Sequence, residues 1–287
     1  MGKDKAYRLG VYEKAMPADL SWVEKLNAAK RTGFDFIELS LDESEEKISR
    51  LYWSKEEKNA LRHAIEETGV PIRSMCFSCC RKYSLGTLDP EKKPRVMELV
   101  SKAIEFADDV GIRIIQMSGY DAYYEPRSEA TRQMFIENLK KTAKMAAARG
   151  ILLGFETQMD SDHMDAVSKI MNYVNIVNSP YVNAYPDIGN LCLSKIQYGW
   201  DNITDDLRTG EGHIIAAHLK ETLPGIDRGV PFGTGVTEYD EALPVLKDMG
   251  VRYFNAEFWN DHPEAWEENM KSSCDFLRGK LDKVFDE

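Results

Sequence analysis

Glycine punctuates this chain in a way that restricts its fold more than any other feature. Gly33, Gly69, Gly111, Gly150 and Gly250 each stand between a helix-like run and an apolar, strand-like segment. A helix closes readily on glycine, which adopts the left-handed backbone that its C-terminus requires. Strands are predicted over 8–13, 34–40, 71–78, 112–119, 151–156, 181–187, 213–220 and 251–258, most followed by an amphipathic helical stretch. Ser54-x-x-Glu57 forms a capping box for a helix closing on Gly69; another helix spans about 91–110, and a long one ends at Arg149. Alternating β and α segments mean parallel strands joined by crossover helices. Eight such units predict an α/β fold, a closed (β/α)8 barrel in one domain, 1–287. No glycine-rich dinucleotide fingerprint follows the first strand, which argues against an open Rossmann sheet. No linker or low-complexity stretch divides the chain.

The formal net charge of −11 argues against a binder of nucleic-acid backbones, which needs basic patches. A small site can still be locally basic in an acidic protein. The first residues lack the apolar core of a signal peptide, and Ala6 stands where a myristoylation signal needs Ser or Thr. No apolar run approaches the roughly 18 residues of a membrane span. The expectation is a soluble cytoplasmic protein with neither nucleic-acid nor membrane partners.

Within this frame, four polar residues recur at strand ends: Glu156 in GILLGFET, Asp187 in VNAYPDIGN, His218 in IIAAHLKET and Glu257 in RYFNAEFW. Their spacings of 31, 31 and 39 residues match one βα unit each. In a parallel barrel the carboxyl ends of the strands converge on one mouth. Three carboxylates and an imidazole there suit a divalent ion. Alternation puts His218 on one face with Ile214, Ala216 and Lys220, Glu257 with Tyr253, Asn255 and Trp259, and Glu156 with Leu152 and Gly154. Other strands offer polar ends too: Glu13, Glu38, Ser78, and Gln116 or Ser118.

Each residue also has a plainer reading, as a solvated strand end, a helix cap or a core hydrogen-bonder. Cys76-x-x-Cys79 invites a metal or redox role, but on a strand those positions face opposite ways, so reduced structural thiols are expected for all five cysteines. His63, His163, His213 and His262 fall mid-helix, in loops or at the far end of the barrel. In VPFGTGVTEYDEAL, Gly233 and Gly235 free the backbone to approach an anion, an ordinary turn being the alternative, and Thr237-x-x-Asp240 is a candidate cap for the next helix.

The segments GVYEKAMP, TGFDFIELSLDE, YPDIGNL, HLKETLPG, VPFGTGVTEY and AEFW, in this order, resemble the L-ribulose-5-phosphate 3-epimerase (L-xylulose-5-phosphate 3-epimerase) family. That family belongs to the xylose isomerase-like TIM barrels, and the resemblance spans nearly the whole chain. It implies a divalent metal (Mn²⁺, Zn²⁺, Co²⁺ or Mg²⁺) held by Glu156, Asp187, His218 and Glu257. It further implies a small sugar phosphate as partner and inversion of C3 of a ketopentose phosphate. The C3 proton is acidic because C2 is a carbonyl, and a metal on the C2 oxygen and C3 hydroxyl would stabilise a cis-enediolate. Glu156 and Glu257 are then the catalytic pair, one removing the proton and the other returning it to the opposite face. Asp187 and His218 are ligands only. Asn190, where many ketose epimerases of the wider superfamily carry histidine, and Lys220 are expected to contact substrate, and the Gly233–Gly235 loop to take phosphate. A homodimer is the assembly expected from the superfamily.

Two segments depart from the family pattern, CFSCCRKYSLG, which lacks a histidine near Cys80, and ETQMDSDHM. Both lie near the mouth and bear on which ketose is preferred. Competing readings are an aldose–ketose isomerase or an unphosphorylated-ketose 3-epimerase on the same barrel, an endonuclease IV-like phosphodiesterase, and a non-enzymatic sugar-phosphate sensor. The phosphodiesterase would need more histidine ligands than this chain offers.

Overall fold

In the computed structural model, which describes residues 5–159, 164–261 and 263–286, eight parallel strands form a barrel ringed by helices. The strands are β1 (Arg8–Tyr12), β2 (Phe36–Ser40), β3 (Ile72–Phe77), β4 (Ile114–Ser118), β5 (Leu152–Glu156), β6 (Val182–Tyr185), β7 (Ala217–Leu219) and β8 (Tyr253–Ala256). The helices are α1 (Trp22–Thr32), α2 (Glu45–Ser49), α3 (Lys55–Thr68), α4 (Lys93–Val110), α5 (Glu129–Arg149), α6 (Val167–Val177), α7 (Ile188–Tyr198), α8 (Thr204–Arg208), α9 (Tyr239–Asp248) and α10 (Trp266–Phe285). Every predicted strand is present, each shorter than its apolar run.

The ladder runs β6-β5-β4-β3-β2-β1-β8-β7. Between β6 and β7 only two isolated parallel bridges close the ring, Ala184 with Ile214 and Asp187 with His218. This seam is the weakest part of the wall, and two of the four candidate residues lie on it. β7 is short because its approach is irregular. Ile214 packs outward in the main core, whereas Ile215 and Ala216 both join the inner cluster with Ile114, Leu152, Tyr185 and Tyr253. The strict alternation that put Ile214 on His218's face therefore breaks one residue upstream of Ala216.

Local signals act as the sequence predicts at most helix ends. Ser21–Glu24 and Ser54–Glu57 are closed capping boxes, and α1, α3, α4 and α5 end on left-handed glycines. Pro94 sits in the first turn of α4, where its missing N–H costs nothing. The cap expected from Thr237 does not form. Its hydroxyl donates instead to the Lys220 carbonyl at 2.9 Å and its N–H to Glu221 Oε1 at 3.1 Å. Past Phe77 the chain turns into a 3-10 segment, Ser78–Arg81, so Cys79 does not share a strand with Cys76 as the facing argument assumed. All five cysteines are free and buried.

The inner cluster plugs one end of the barrel. Towards the carboxyl ends of the strands the lining becomes polar: Glu38, Gln116, Glu156, His218, Asn255 and Glu257 are all buried there. Gly154 makes room for this arrangement, since a Cβ at that position would lie 2.9 Å from Tyr185 Cβ and 3.1 Å from Ile215 Cδ1. Tyr185 can thus cross the barrel to Glu38.

Candidate active site

Four strand ends bring Glu156, Asp187, His218 and Glu257 together, with one ligand atom from each lying within 4.8 Å of the others. Glu156 closes β5, and Glu257 follows β8 directly. Asp187 lies just past β6 as the N-cap of α7, its Oδ1 accepting the Asn190 N–H at 2.7 Å. Capping fixes that carboxylate and leaves Oδ2 facing the cluster, buried and without a hydrogen bond. Glu257 Oε2 is likewise buried and accepts no hydrogen bond. Orphaned acceptor oxygens in a dry site are costly unless something positive fills the gap. Their donor set fits a divalent cation.

His218 is fully buried and held from both sides. Its Nδ1 faces the cluster, 2.7 Å from Glu156 Oε1, 3.7 Å from Glu257 Oε2 and 4.0 Å from Asp187 Oδ2. Its Nε2 meets Glu38 Oε1 at 2.6 Å. Glu38 is itself fixed by Ser74 Oγ at 2.6 Å, Asn255 Nδ2 at 2.9 Å and Tyr185 OH at 3.0 Å. A carboxylate on the far nitrogen orients the ring and makes the near nitrogen a better ligand. The chain thus aims Nδ1 at the position an ion would take.

Glu156 Oε2 accepts hydrogen bonds from Gln116 Nε2 and Gln158 Nε2, both at 2.8 Å, and Gln158 is in turn held by the Tyr120 hydroxyl at 2.6 Å. Lys220 Nζ lies 3.5 Å from Asp187 Oδ2 and 3.3 Å from Glu257 Oε2. Burial pushes Asp187 up to about 8, and the neighbouring Glu257 and Glu156 charges add to that against the pull of Lys220. Burial acts the same way on Glu257, but Lys220 and His218 overcome it and hold that carboxyl low, at about 2. Burial disfavours the imidazolium, yet Glu38, Glu257 and Glu156 around His218 raise its pKa well above the ordinary value. Without a cation, protons are held at Asp187 and His218.

Of the other candidates, Asn190 sits in the first turn of α7 with Nδ2 donating to the Thr157 carbonyl at 2.8 Å and Oδ1 buried without a partner. It lines the cavity together with Lys220. Gly233 and Gly235 do not. The Gly233 N–H donates to Glu221 Oε2 at 2.7 Å, and a Cβ at Gly235 would meet the Thr222 carbonyl oxygen at 2.2 Å. The anion this loop embraces is the carboxylate of the chain's own Glu221. His63 is exposed on α3 and His213 precedes β7, while His163 and His262 lie outside the described residues.

The cavity above the cluster measures about 450 Å³ and is lined by Glu156, Glu257, Asn190 and Lys220, together with Arg81, Tyr120, Tyr123, Arg228 and Trp259. Neither arginine was singled out from the sequence, because loop cations on an acidic chain carry no periodic signal. Glu38 and Gln116 were visible only as polar strand ends, and their partners could not be read.

A family model described as "Xylose isomerase-like TIM barrel" matches residues 26–280. The chain is 41% identical over 282 residues to L-ribulose-5-phosphate 3-epimerase UlaE of Shigella flexneri, covering 98% of this chain and 97% of that one. The enzyme of the same name from Escherichia coli O157:H7 matches with the same identity and coverage. A crystal structure of D-psicose 3-epimerase with D-tagatose from Clostridium cellulolyticum H10 superposes with a TM-score of 0.76 at 15% identity, covering 96% of this chain and 99% of that one. Likeness at that identity speaks for the barrel alone. The sequence matches reach further than the barrel, since they cover nearly the whole length of both chains at 41% identity. The chain belongs to the L-ribulose-5-phosphate 3-epimerase family of xylose isomerase-like TIM barrels.

Proposed function

We propose that the protein is a metal-dependent epimerase that inverts C3 of a ketopentose 5-phosphate, interconverting L-ribulose 5-phosphate and L-xylulose 5-phosphate. The observation that carries this reading is the pair of glutamates, Glu156 and Glu257, converging from β5 and β8 on one buried cluster under a sugar-sized cavity. The family relationship supports the same reaction.

A divalent ion (Mn²⁺, Zn²⁺, Co²⁺ or Mg²⁺), held by Glu156, Asp187, His218 through Nδ1 and Glu257, would supply Lewis-acid stabilisation of the charge that develops when C3 loses its proton. Proton movement falls to the two glutamates by their surroundings. Asp187 is tied to the α7 backbone and His218 to Glu38, so neither is free to swing. Glu156 is kept as an acceptor by two amide donors, Gln116 and Gln158. Glu257 is kept charged by Lys220. One takes the C3 proton and the other returns it to the opposite face, the order depending on the direction of reaction. Asn190 and Lys220 offer polar contacts for substrate hydroxyls. We further propose a cytoplasmic homodimer, its stoichiometry readable by light scattering.

The test is solvent-deuterium incorporation at C3 of L-ribulose 5-phosphate with metal-replete protein. Wild type incorporates label, and Glu156→Gln and Glu257→Gln each abolish it while remaining folded. Retained exchange in both variants overturns the two-carboxylate mechanism, and label at C1 instead would identify an aldose–ketose isomerase.

A further inference from the structure

Glu156 Oε2 is gripped by two amides that differ in how they are held. An ionised carboxylate only accepts, so Gln116 and Gln158 each present Nε2 to it, at 2.8 Å, and each leaves Oε1 on the far side. Gln116 Oε1 is buried with no hydrogen-bond partner among the described residues. Gln158 Oε1, by contrast, accepts from the Tyr120 hydroxyl at 2.6 Å. The Gln158 backbone is fixed too, its N–H donating to the Met164 carbonyl at 2.8 Å. Tyr120 reaches over β5 because the residue before it is glycine: a Cβ at Gly119 would lie 2.9 Å from the Glu156 carbonyl oxygen and 2.6 Å from Met164 Cβ. Tyr120 and Gln158 are both buried, and the Tyr123 ring packs 4.6 Å from that of Tyr120. Gln158 belongs to ETQMDSDHM, one of the two segments that depart from the family pattern, so this link does not follow from family membership.

We infer that Tyr120 is a positioning residue for the epimerisation, acting through Gln158 to hold the Glu156 carboxylate in place. This rests on the function proposed above and deepens it. Donation from the phenol to Oε1 anchors the far end of the amide and polarises it, which strengthens the bond that Nε2 makes on the other side. The two carboxylate oxygens move together, so an anchor on Oε2 also sets Oε1, which faces His218 Nδ1 at 2.7 Å. Without the hydroxyl, Gln158 Oε1 becomes a second buried acceptor with nothing to accept, and the amide shifts to find a donor. Gln116, whose far oxygen is already unpaired, offers no fixed reference against that shift. Tyr120 thus governs a glutamate that it does not itself touch.

The experiment is a double-mutant cycle over Tyr120→Phe, Gln158→Met and the two together, in which phenylalanine keeps the ring and methionine keeps the length of the side chain. Calorimetric titration of metal-stripped protein with Mn²⁺ reads the placement of Glu156 without turnover. Steady-state exchange of the C3 proton of L-ribulose 5-phosphate at saturating Mn²⁺ separates kcat from KM. Tyr120→Phe is expected to lower Mn²⁺ affinity and kcat by about 10-fold each, with KM and the circular dichroism spectrum unchanged. Gln158→Met loses at least as much, and adding Tyr120→Phe to it loses nothing further, because the hydroxyl acts through the amide. Losses that add in the double variant, or a Tyr120→Phe variant equal to wild type in both measurements, overturn the assignment. Should wild type exchange no C3 proton while the cycle in Mn²⁺ affinity is non-additive, the Tyr120–Gln158 anchor stands and the epimerase reading falls.

Discussion

Glu38 Oε1 and His218 Nε2 meet at 2.6 Å across the barrel, though 180 residues separate them in the chain. Neither atom touches solvent, and three further donors hold the carboxylate in place. Removing that charge frees the imidazole to rotate and weakens Nδ1 as a ligand. Glu38→Gln is expected to lower metal affinity by roughly 10–100-fold with little change in fold. Metal content after dialysis, set beside the circular dichroism spectrum, checks this; full retention of metal would show that the ring needs no such support.

Metal uptake should release protons. Asp187 and His218 both have raised affinities for protons, the first near 8, so a cation competes with them throughout the neutral range. Apparent affinity is expected to rise with pH through the neutral range to about 8. Calorimetry in two buffers of different ionisation enthalpy counts the released protons. A pH-independent affinity with no buffer dependence contradicts the charge balance described for the site.

Glu13, at the end of β1, looked in the sequence like another mouth carboxylate. It is instead the centre of a buried ion cluster, with Lys25 Nζ at 2.9 Å, Lys47 Nζ at 3.0 Å and Arg50 Nη1 at 2.6 Å. Burial alone would raise its pKa, but Arg50, Lys25 and Lys47 together hold it far below the ordinary carboxylate value. A depressed folded value means that this stabilisation is complete above the unfolded pKa and fades as pH falls toward the folded one. Glu13→Gln, which strands three cations, should cost about 3–5 kcal/mol at pH 7. Urea unfolding from pH 7 to 3 should show wild type converging on the variant. Parallel curves would remove the ion cluster as the cause.

Gly154→Ala tests the packing beneath the site. The new methyl must displace Tyr185 or Ile215, and overpacking of this kind costs about 1–3 kcal/mol. Because the Tyr185 hydroxyl supports Glu38, metal affinity should drop as well. A melting temperature and metal content both equal to wild type would mean the barrel accommodates the methyl elsewhere.

The barrel was legible because its signals are local: helix-ending glycines, capping boxes and apolar runs each act within a few residues. The four clustered residues were legible through the same repeat, since βα spacing converts chain distance into position around a ring. What stayed hidden depends on contacts across the barrel. Glu38 cannot be told from Glu13 by sequence, yet one supports a histidine and the other anchors a salt-bridge cluster. The sequence offers the Gly233–Gly235 loop to an anion, but it cannot show that Glu221, twelve residues before Gly233, already accepts the Gly233 N–H. Ile214 was placed on the wrong face because period two assumes an unbroken strand, and β7 is broken.

The sparse join between β6 and β7 has one more implication. Asp187 stands on one side of it and His218 on the other, so an ion bound by both would act as a clasp on the barrel's least-laced edge. Binding and closure of the fold are then thermodynamically linked. Hydrogen exchange should reveal this directly, with metal slowing the amides of Ala184, Ile215 and His218 more than those of the long ladder between β4 and β5.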